Sequence, residues 1–207
     1  MNGSPPAADT PDAPATLRVT TWSLEQTAPD ELRPVHEADT RTAVRIERAG
    51  VPSPEFSRFL YTAVGGDVTW TDRLGWDHAR WRAFLERAGT ETWVAWERGT
   101  PAGFVELDAQ PDGVVEISYF GLLPAFRGRG LGGRLLSVGT ARAWDLAARW
   151  PQREPTRRVW LHTCSKDGPH ALRNYERRGF RVFDVRTEDE PYRPPPGPWP
   201  GAFPAAP

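Results

Sequence analysis

The amino-acid sequence predicts one α/β domain of the α+β kind, built on a mixed, largely antiparallel twisted sheet. First, three strand-like segments, Thr92 to Glu97, Gly103 to Asp108 and Val114 to Leu122, follow one another across the turn signals Arg98-Gly99 and Pro111-Asp112-Gly113, a spacing that makes an antiparallel meander. Second, the pattern changes after Pro124 to a long helix, expected from about Gly130 to Arg149 and ended by Pro151. Third, a strand (Val159 to Thr163), a helix (Pro169 to Arg178) and a strand (Phe180 to Val185) follow, and helices alternating with strands need a sheet to cover.

The earlier elements complete the layout. Leu17, Val19 and Thr21 alternate as in a half-buried strand, and Ala43 to Arg48 is a weaker strand candidate. Pro54 opens a helix through Val64 closed by Gly65-Gly66, and Asp77 is placed to cap a helix running to about Arg87. In the long helix, Leu131, Leu135, Val138 and Trp144 are expected on the buried side. Residues 1–15 are rich in Pro, Ala and Asp, and residues 191–207 hold eight prolines, so both ends read as tails around a domain spanning 16–190. Tyr192, Trp199 and Phe203 leave open the alternative that the C-terminal tail lies against the body as an extended strap.

Composition narrows the function classes. A formal net charge of -1 argues against a general nucleic-acid binder, which needs clustered positive charge. Cys164 is the single cysteine, so no internal disulfide or multi-cysteine metal site can form, and no metal is expected. No apolar run approaches the ~18 residues that span a bilayer, and no basic-then-apolar leader opens the chain. The expectation is a cytoplasmic protein, monomer or homodimer, with neither nucleic acid nor membrane as partner.

The segment from Glu116 to Gly132 reads as strand, short loop, glycine-rich turn and helix start. Glycines at 128, 130 and 132 let the backbone approach an anion, and the first helical turn from Leu131 offers unpaired N–H groups at the positive end of the dipole. Arg127 and Arg129 stand at the rim of this cradle, where they could add charge-assisted bonds. A Walker-type loop would need Gly-Lys followed by Ser or Thr, and no lysine is there. Gly128, Gly130 and Gly133 match the dinucleotide fingerprint literally, but it usually requires an acidic residue ending a strand about twenty residues on. Here that region, Asp145 to Trp150, still reads as helix.

Arg127, Gly130 and Gly132 also satisfy the pattern Arg or Gln, two residues, Gly, one residue, Gly or Ala. Downstream, Ala171, Tyr175 and Gly179-Phe180 supply an Ala-x-x-x-Tyr-x-x-x-Gly-Phe segment after a strand. With both motifs in order, the chain resembles the GCN5-related N-acetyltransferase superfamily over about Val94 to Val185. One departure is Gly168, where many members carry an Asn that contacts the cofactor. The resemblance implies helices on both faces of the sheet and acetyl-CoA as acyl donor. It also implies a pyrophosphate on residues 127–132 and a pantetheine arm paired with backbone near Phe120 and Leu122.

The same resemblance assigns Glu116, eleven residues before Arg127, as general base, and Tyr175 as the acid facing the departing thiolate. A carboxyl with a reference pKa of ~4.3 faces an alkylamine near ~10, so Glu116 needs burial or a water relay for that task. Strict alternation would put Glu116, Ser118 and Phe120 on one face and Val115, Ile117 and Tyr119 on the other. Cys164, with His162 on the same face of its strand, is a competing acyl-accepting nucleophile. For the acceptor, Tyr61, Trp70, Asp72 and Trp76, together with Trp81, Asp67 and Asp77, combine aromatics with carboxylates as an amine-bearing small molecule would require. Each also has a bland reading as core, cap or turn residue. Two rival functions stand beside the enzyme: a non-catalytic acyl-CoA-binding sensor, and an acetyltransferase acting on protein or aminoacyl-tRNA.

Overall fold

The computed structural model describes residues 16–35 and 44–197. The 1–15 tail, the expected first strand residue Ala43, and Trp199 and Phe203 lie outside the described residues. Seven strands form one sheet: β1 (Thr16–Gln26), β2 (Val44–Arg48), β3 (Thr90–Glu97), β4 (Thr100–Ala109), β5 (Val114–Leu122), β6 (Arg158–Cys164) and β7 (Arg181–Pro191), in the spatial order β2-β3-β4-β5-β6-β1-β7. All neighbours are antiparallel except β5 and β6. The β3-β4-β5 meander is the one expected from its turn residues.

Helices cover both faces. On one, α1 (Pro54–Gly65) packs on β4 and β5, and α2 (His78–Leu85) on β3. Ser53 and Asp77 cap these helices, accepting from the amides of Phe56 (3.2 Å) and Arg80 (2.8 Å). On the other face, α3 (Leu131–Trp144) packs on β4, β5 and β6, followed by the short α4 (Leu146–Arg149), and α5 (Ala171–Arg177) packs beside α3. The main core fills this side, where Leu131, Leu135, Leu136 and Ala143 meet Val105, Leu107, Val115 and Ile117. Val138 and Trp144 are only half-buried, and the indole of Trp144 reaches the buried Gln26 instead.

Two expectations need correction. The long helix breaks at Asp145 (φ -95°, ψ 16°), whose carboxylate receives Arg142 and Arg149 and whose carbonyl accepts from Arg149. Past its expected end at Val185, β7 runs on through Arg-Thr-Glu-Asp-Glu to Pro191 as an outer strand. Charged residues suit an unpaired sheet edge, and they hide the strand from an apolar-periodicity reading. No helix among the described residues is long and apolar enough to cross a membrane.

One buried carboxylate fixes where α3 points. Glu91 on β3 accepts bonds from Arg48 (3.0 Å), from Arg149 through two nitrogens (2.8 Å each), and from the indoles of Trp93 (2.8 Å) and Trp150 (2.9 Å). Burial alone would push its carboxyl up, yet the bonds from Arg149, Trp93 and Trp150 hold it below the usual range. The α3–α4 end is thereby pinned to the sheet, which aims the helix N-terminus at the end of β5. Glu91→Ala would strand two arginines and two indole N–H groups, so it should destabilise the fold by about 3–5 kcal/mol in urea unfolding.

Candidate active site

The site begins where a ladder stops. Parallel pairing between β5 and β6 covers only Val114↔Arg158, Val115↔Val159 and Glu116↔Trp160. Beyond Glu116 the strands part, leaving the β5 edge through Leu122 without a strand partner on the β6 side among the described residues. On its other side β5 carries a bulge: Ile117 faces Leu107 and Tyr119 faces Glu106, so Ser118 is the extra residue. A bulge bends its strand and re-aims the side chains that follow. Strict alternation therefore fails here. Glu116 and Tyr119 share the α1–α2 face, while Phe120 and Leu122 join Val115 and Ile117 on the α3 face.

At the far end of β5, a 3-10 turn over Pro124–Phe126 leads into Gly128 (φ 74°) and Gly130 (φ 81°), left-handed positions that side chains rarely adopt. Gly130 is the N-cap of α3 and supplies no side-chain bond, in contrast to Ser53 and Asp77 on the other helices. The amides that start α3 at Leu131 and Gly132 thus lack intrahelical partners and sit at the positive end of the dipole. Leu131 is buried as the anchor of this turn, and Gly132 lies over Leu122 and Phe120, at 3.7 and 3.9 Å from where its side chain would begin. An anion such as a diphosphate fits this arrangement.

The two arginines of the motif are engaged elsewhere. Arg127 clamps Asp67 through two nitrogens and also donates to the carbonyls of Leu122 (3.0 Å) and Val64 (3.2 Å), tying the turn to the end of α1. Arg129 pairs with Glu97 and lies over the Phe126 ring. Both shape the cradle with their guanidinium groups turned to carboxylates. Arg178, which the sequence reading missed, places Nη1 2.6 Å from where a Gly133 side chain would begin. Burial and the neighbouring Arg177 push its pKa down.

Glu116 closes the apex of the fork. Its Oε2 accepts from Gln110 Nε2 (2.7 Å), whose Oε1 accepts from the Trp160 indole (3.1 Å); its Oε1 lies 3.8 Å from His162 Nδ1. The Glu116 side chain is 16% exposed. Desolvation, then Asp108 opposite it on β4, push its pKa up to about 7 against the opposing pull of Arg73. Near neutral pH the carboxyl can both take and release a proton.

Beside it lies a box of rings, and the protein fills that box itself. The Arg73 guanidinium, almost wholly buried, sits 4.2–5.6 Å from the rings of Phe84, Tyr119, Trp76 and Trp81 and pairs with buried Glu106 at 2.8 Å. Tyr61, 2% exposed, packs edge-on against Tyr119 and Trp81, and its hydroxyl accepts from the Arg73 amide. Trp70 leans on Tyr119 and Phe104, and Trp76 on Trp81 and Phe84 with Arg80 on its ring. Asp72 is exposed at the rim, accepting from the Tyr119 hydroxyl at 3.3 Å. Asp67 and Asp77 serve as ion-pair partner and cap.

On the opposite side of the fork, Tyr175 of α5 packs edge-on to Phe120 (5.9 Å) and Phe180 (6.4 Å). Burial, then Asp167, push its hydroxyl up, so it keeps its proton. Asp167, beside Gly168, accepts from Thr163 (2.6 Å) and the Cys164 amide (3.0 Å) and so holds the turn after β6. Burial and Asp167 raise the Cys164 thiol, which disfavours a thiolate nucleophile. Among the described residues no group of His, Cys, Asp and Glu is arranged to hold a metal ion.

Residues 192–197 bridge β7 and the end of α1: the chain leaves the outer strand at Pro191, and the Gly197 amide donates to Gly66 O, just past α1, at 3.0 Å. Nearby, Lys166 pairs with Glu190 at 2.6 Å. Of the residues on which the strap alternative rests, Tyr192 is exposed, and Trp199 and Phe203 lie outside the described residues.

Residues 55–180 match the model of the Acetyltransferase (GNAT) family, and the chain belongs to that family. A mycothiol acetyltransferase from Mycobacterium leprae (strain Br4923) is 40% identical over 86 residues, 41% of this chain; the chain spans only 26% of that relative. Two solved structures share the fold: a GCN5-related N-acetyltransferase from Kribbella flavida (TM-score 0.57, 20% identity, 84% of this chain and 58% of that one) and one from Sphaerobacter thermophilus (TM-score 0.55, 18% identity, 88% and 53%).

The raised pKa of Glu116 has a thermodynamic counterpart. The folded state keeps this proton up to about pH 7, whereas an unfolded glutamate releases it near ~4.3. Between those values the native state binds more protons, so Glu116 costs stability as pH rises through the window. Glu116→Gln should therefore melt close to wild type at pH 4.5 and above it by pH 8, by about 1–3 kcal/mol, as paired thermal melts would measure.

Proposed function

We propose that the protein is an N-acetyltransferase that moves an acetyl group from acetyl-CoA to the primary amine of a small molecule by direct attack. The observation that carries this reading is the fork itself: three rungs of β5–β6 pairing end at a buried carboxyl with a pKa of about 7, and an uncapped helix start stands at the other end of the open β5 edge. Acetyl-CoA, when bound, supplies an acyl group activated as a thioester. The amides at residues 128–132 receive its diphosphate, and the unpaired backbone near Phe120 and Leu122 aligns its arm. Glu116 takes a proton from the acceptor ammonium, and Tyr175, kept protonated by burial, donates to the departing sulfur. The likeness to a mycothiol acetyltransferase accords with acetyl transfer.

Size and sign of the acceptor follow from the other face. Asp72 and Glu116 offer negative charge to an ammonium, and Trp70 and Tyr119 offer apolar contact, while the bridge over residues 192–197 limits what can enter. A side chain on Gly66 would begin 2.9 Å from Gly197 atoms. Gly66→Ala should therefore lift the bridge and raise KM for a small amine severalfold while leaving the calorimetric affinity for CoA unchanged.

The deciding experiment is thiol release from acetyl-CoA across amines, amino acids, aminoglycosides and peptides. Glu116→Gln should lower kcat by about 10²–10⁴-fold, and Tyr175→Phe should lower it as well, with CoA still bound in both. A protein that binds CoA and turns over no acceptor is a sensor instead. An acceptor affinity that falls steeply with salt would point to a nucleic-acid acceptor.

A further inference from the structure

The acceptor nitrogen must lose more than one proton. An alkylammonium has three N–H bonds and the amide product one, while the C–N bond forms and the C–S bond breaks. The sulfur leaves as a thiol with one proton, donated by Tyr175 and then replaced, and one proton goes to solvent. Two protons therefore leave the same nitrogen in sequence, and a single carboxylate can hold only one.

The apex of the fork holds a second receiver. Oε2 of Glu116 is committed to Gln110, itself fixed by Trp160, so the carboxyl is held in one orientation with Oε1 toward His162 at 3.8 Å. Trp160 is the last β6 residue paired with β5, and His162 is the next one on that face, hence the first to look into the open fork. Its side chain is 52% exposed against 16% for Glu116, so it lies on the way to solvent. Imidazole can take a proton on one nitrogen while releasing one from the other.

The surrounding charges are already matched. From β4, Asp108 is bound to Arg87 (2.6 Å) and Glu106 to Arg73 (2.8 Å). On β1, Ser23 stands opposite His162, and Glu25 is held by Arg158 and Arg181. Beyond Cys164, Lys166 is paired with Glu190. Among these groups His162 is the one whose contact with Glu116 joins two titratable side chains across the fork.

We propose that Glu116 and His162 act as a two-site proton acceptor, Glu116 taking the first proton from the acceptor ammonium and His162 the second once the nitrogen has bonded to the acyl carbon. This rests on the acetyltransferase reading above. The test is the pH dependence of kcat in wild type, His162→Gln and His162→Ala, with thermal melts to confirm folding and calorimetry to confirm unchanged CoA affinity. The acidic limb should fall with a slope approaching two in wild type and one in both variants. Turnover should drop at least tenfold, and added imidazole should restore part of it to His162→Ala in proportion to its concentration. Variants that fold, keep the wild-type slope and ignore imidazole would overturn the pair while leaving the acetyltransferase reading intact. Absence of thiol release from wild type would overturn that reading, and the pair with it.

Discussion

The layout of the candidate site depends on the early parting of two parallel strands. Had β5 and β6 stayed paired to their ends, the sheet would be continuous and the backbone near Phe120 and Leu122 would be spent on a ladder. Instead pairing ends at Glu116, and the extra residue at Ser118 bends β5 away and reverses the order of its faces. One inserted residue thus sends Tyr119 toward Tyr61 and Trp70, and Phe120 toward Tyr175. Two half-sites, each on its own side of the sheet, meet only through the opening between the strands.

The electrostatics divide the same way. On the α3 side, the backbone amides are what remains to meet an anion, because Arg127 and Arg129 are spent on Asp67 and Glu97. Fixed amides suit this task, since they need no ordering when a ligand arrives. On the other side, Glu106, Asp108 and Glu116 lie close together on neighbouring strands, and Arg73 and Arg87 offset the first two. What remains is a carboxyl held near neutrality by burial and by its acidic neighbours. The same crowding costs stability at neutral pH, a common trade at sites built for chemistry.

Much of this was legible in the residues. Turn chemistry located the meander, the capping residues located α1 and α2, and Gly130 with Gly132 located the start of α3. Tyr119 was misplaced because a bulge leaves no periodic trace: Ser118 is an ordinary strand residue, and its extra status exists only relative to β4. Arg73 and Glu106 were missed because each looks solvent-exposed alone, and only the fold brings them together across 33 residues. His162 was noticed for the wrong neighbour, Cys164 on its own strand, when its partner lies on β5. Tyr61, Trp70 and Asp72 each touch Tyr119, and Trp76 meets the Arg73 guanidinium that the protein places among these rings.

Strand order also dictates when the fork can exist. β1 lies between β6 and β7, so it completes its pairing with strands far along the chain. The meander can close through short turns long before that, whereas one arm of the fork waits for contacts more than 130 residues apart. Long-range pairing of this kind folds slowly, because a large loop must be closed before any contact rewards it. The turn that opens α3 can therefore be in place while the strand that carries His162 still waits for its β1 neighbour.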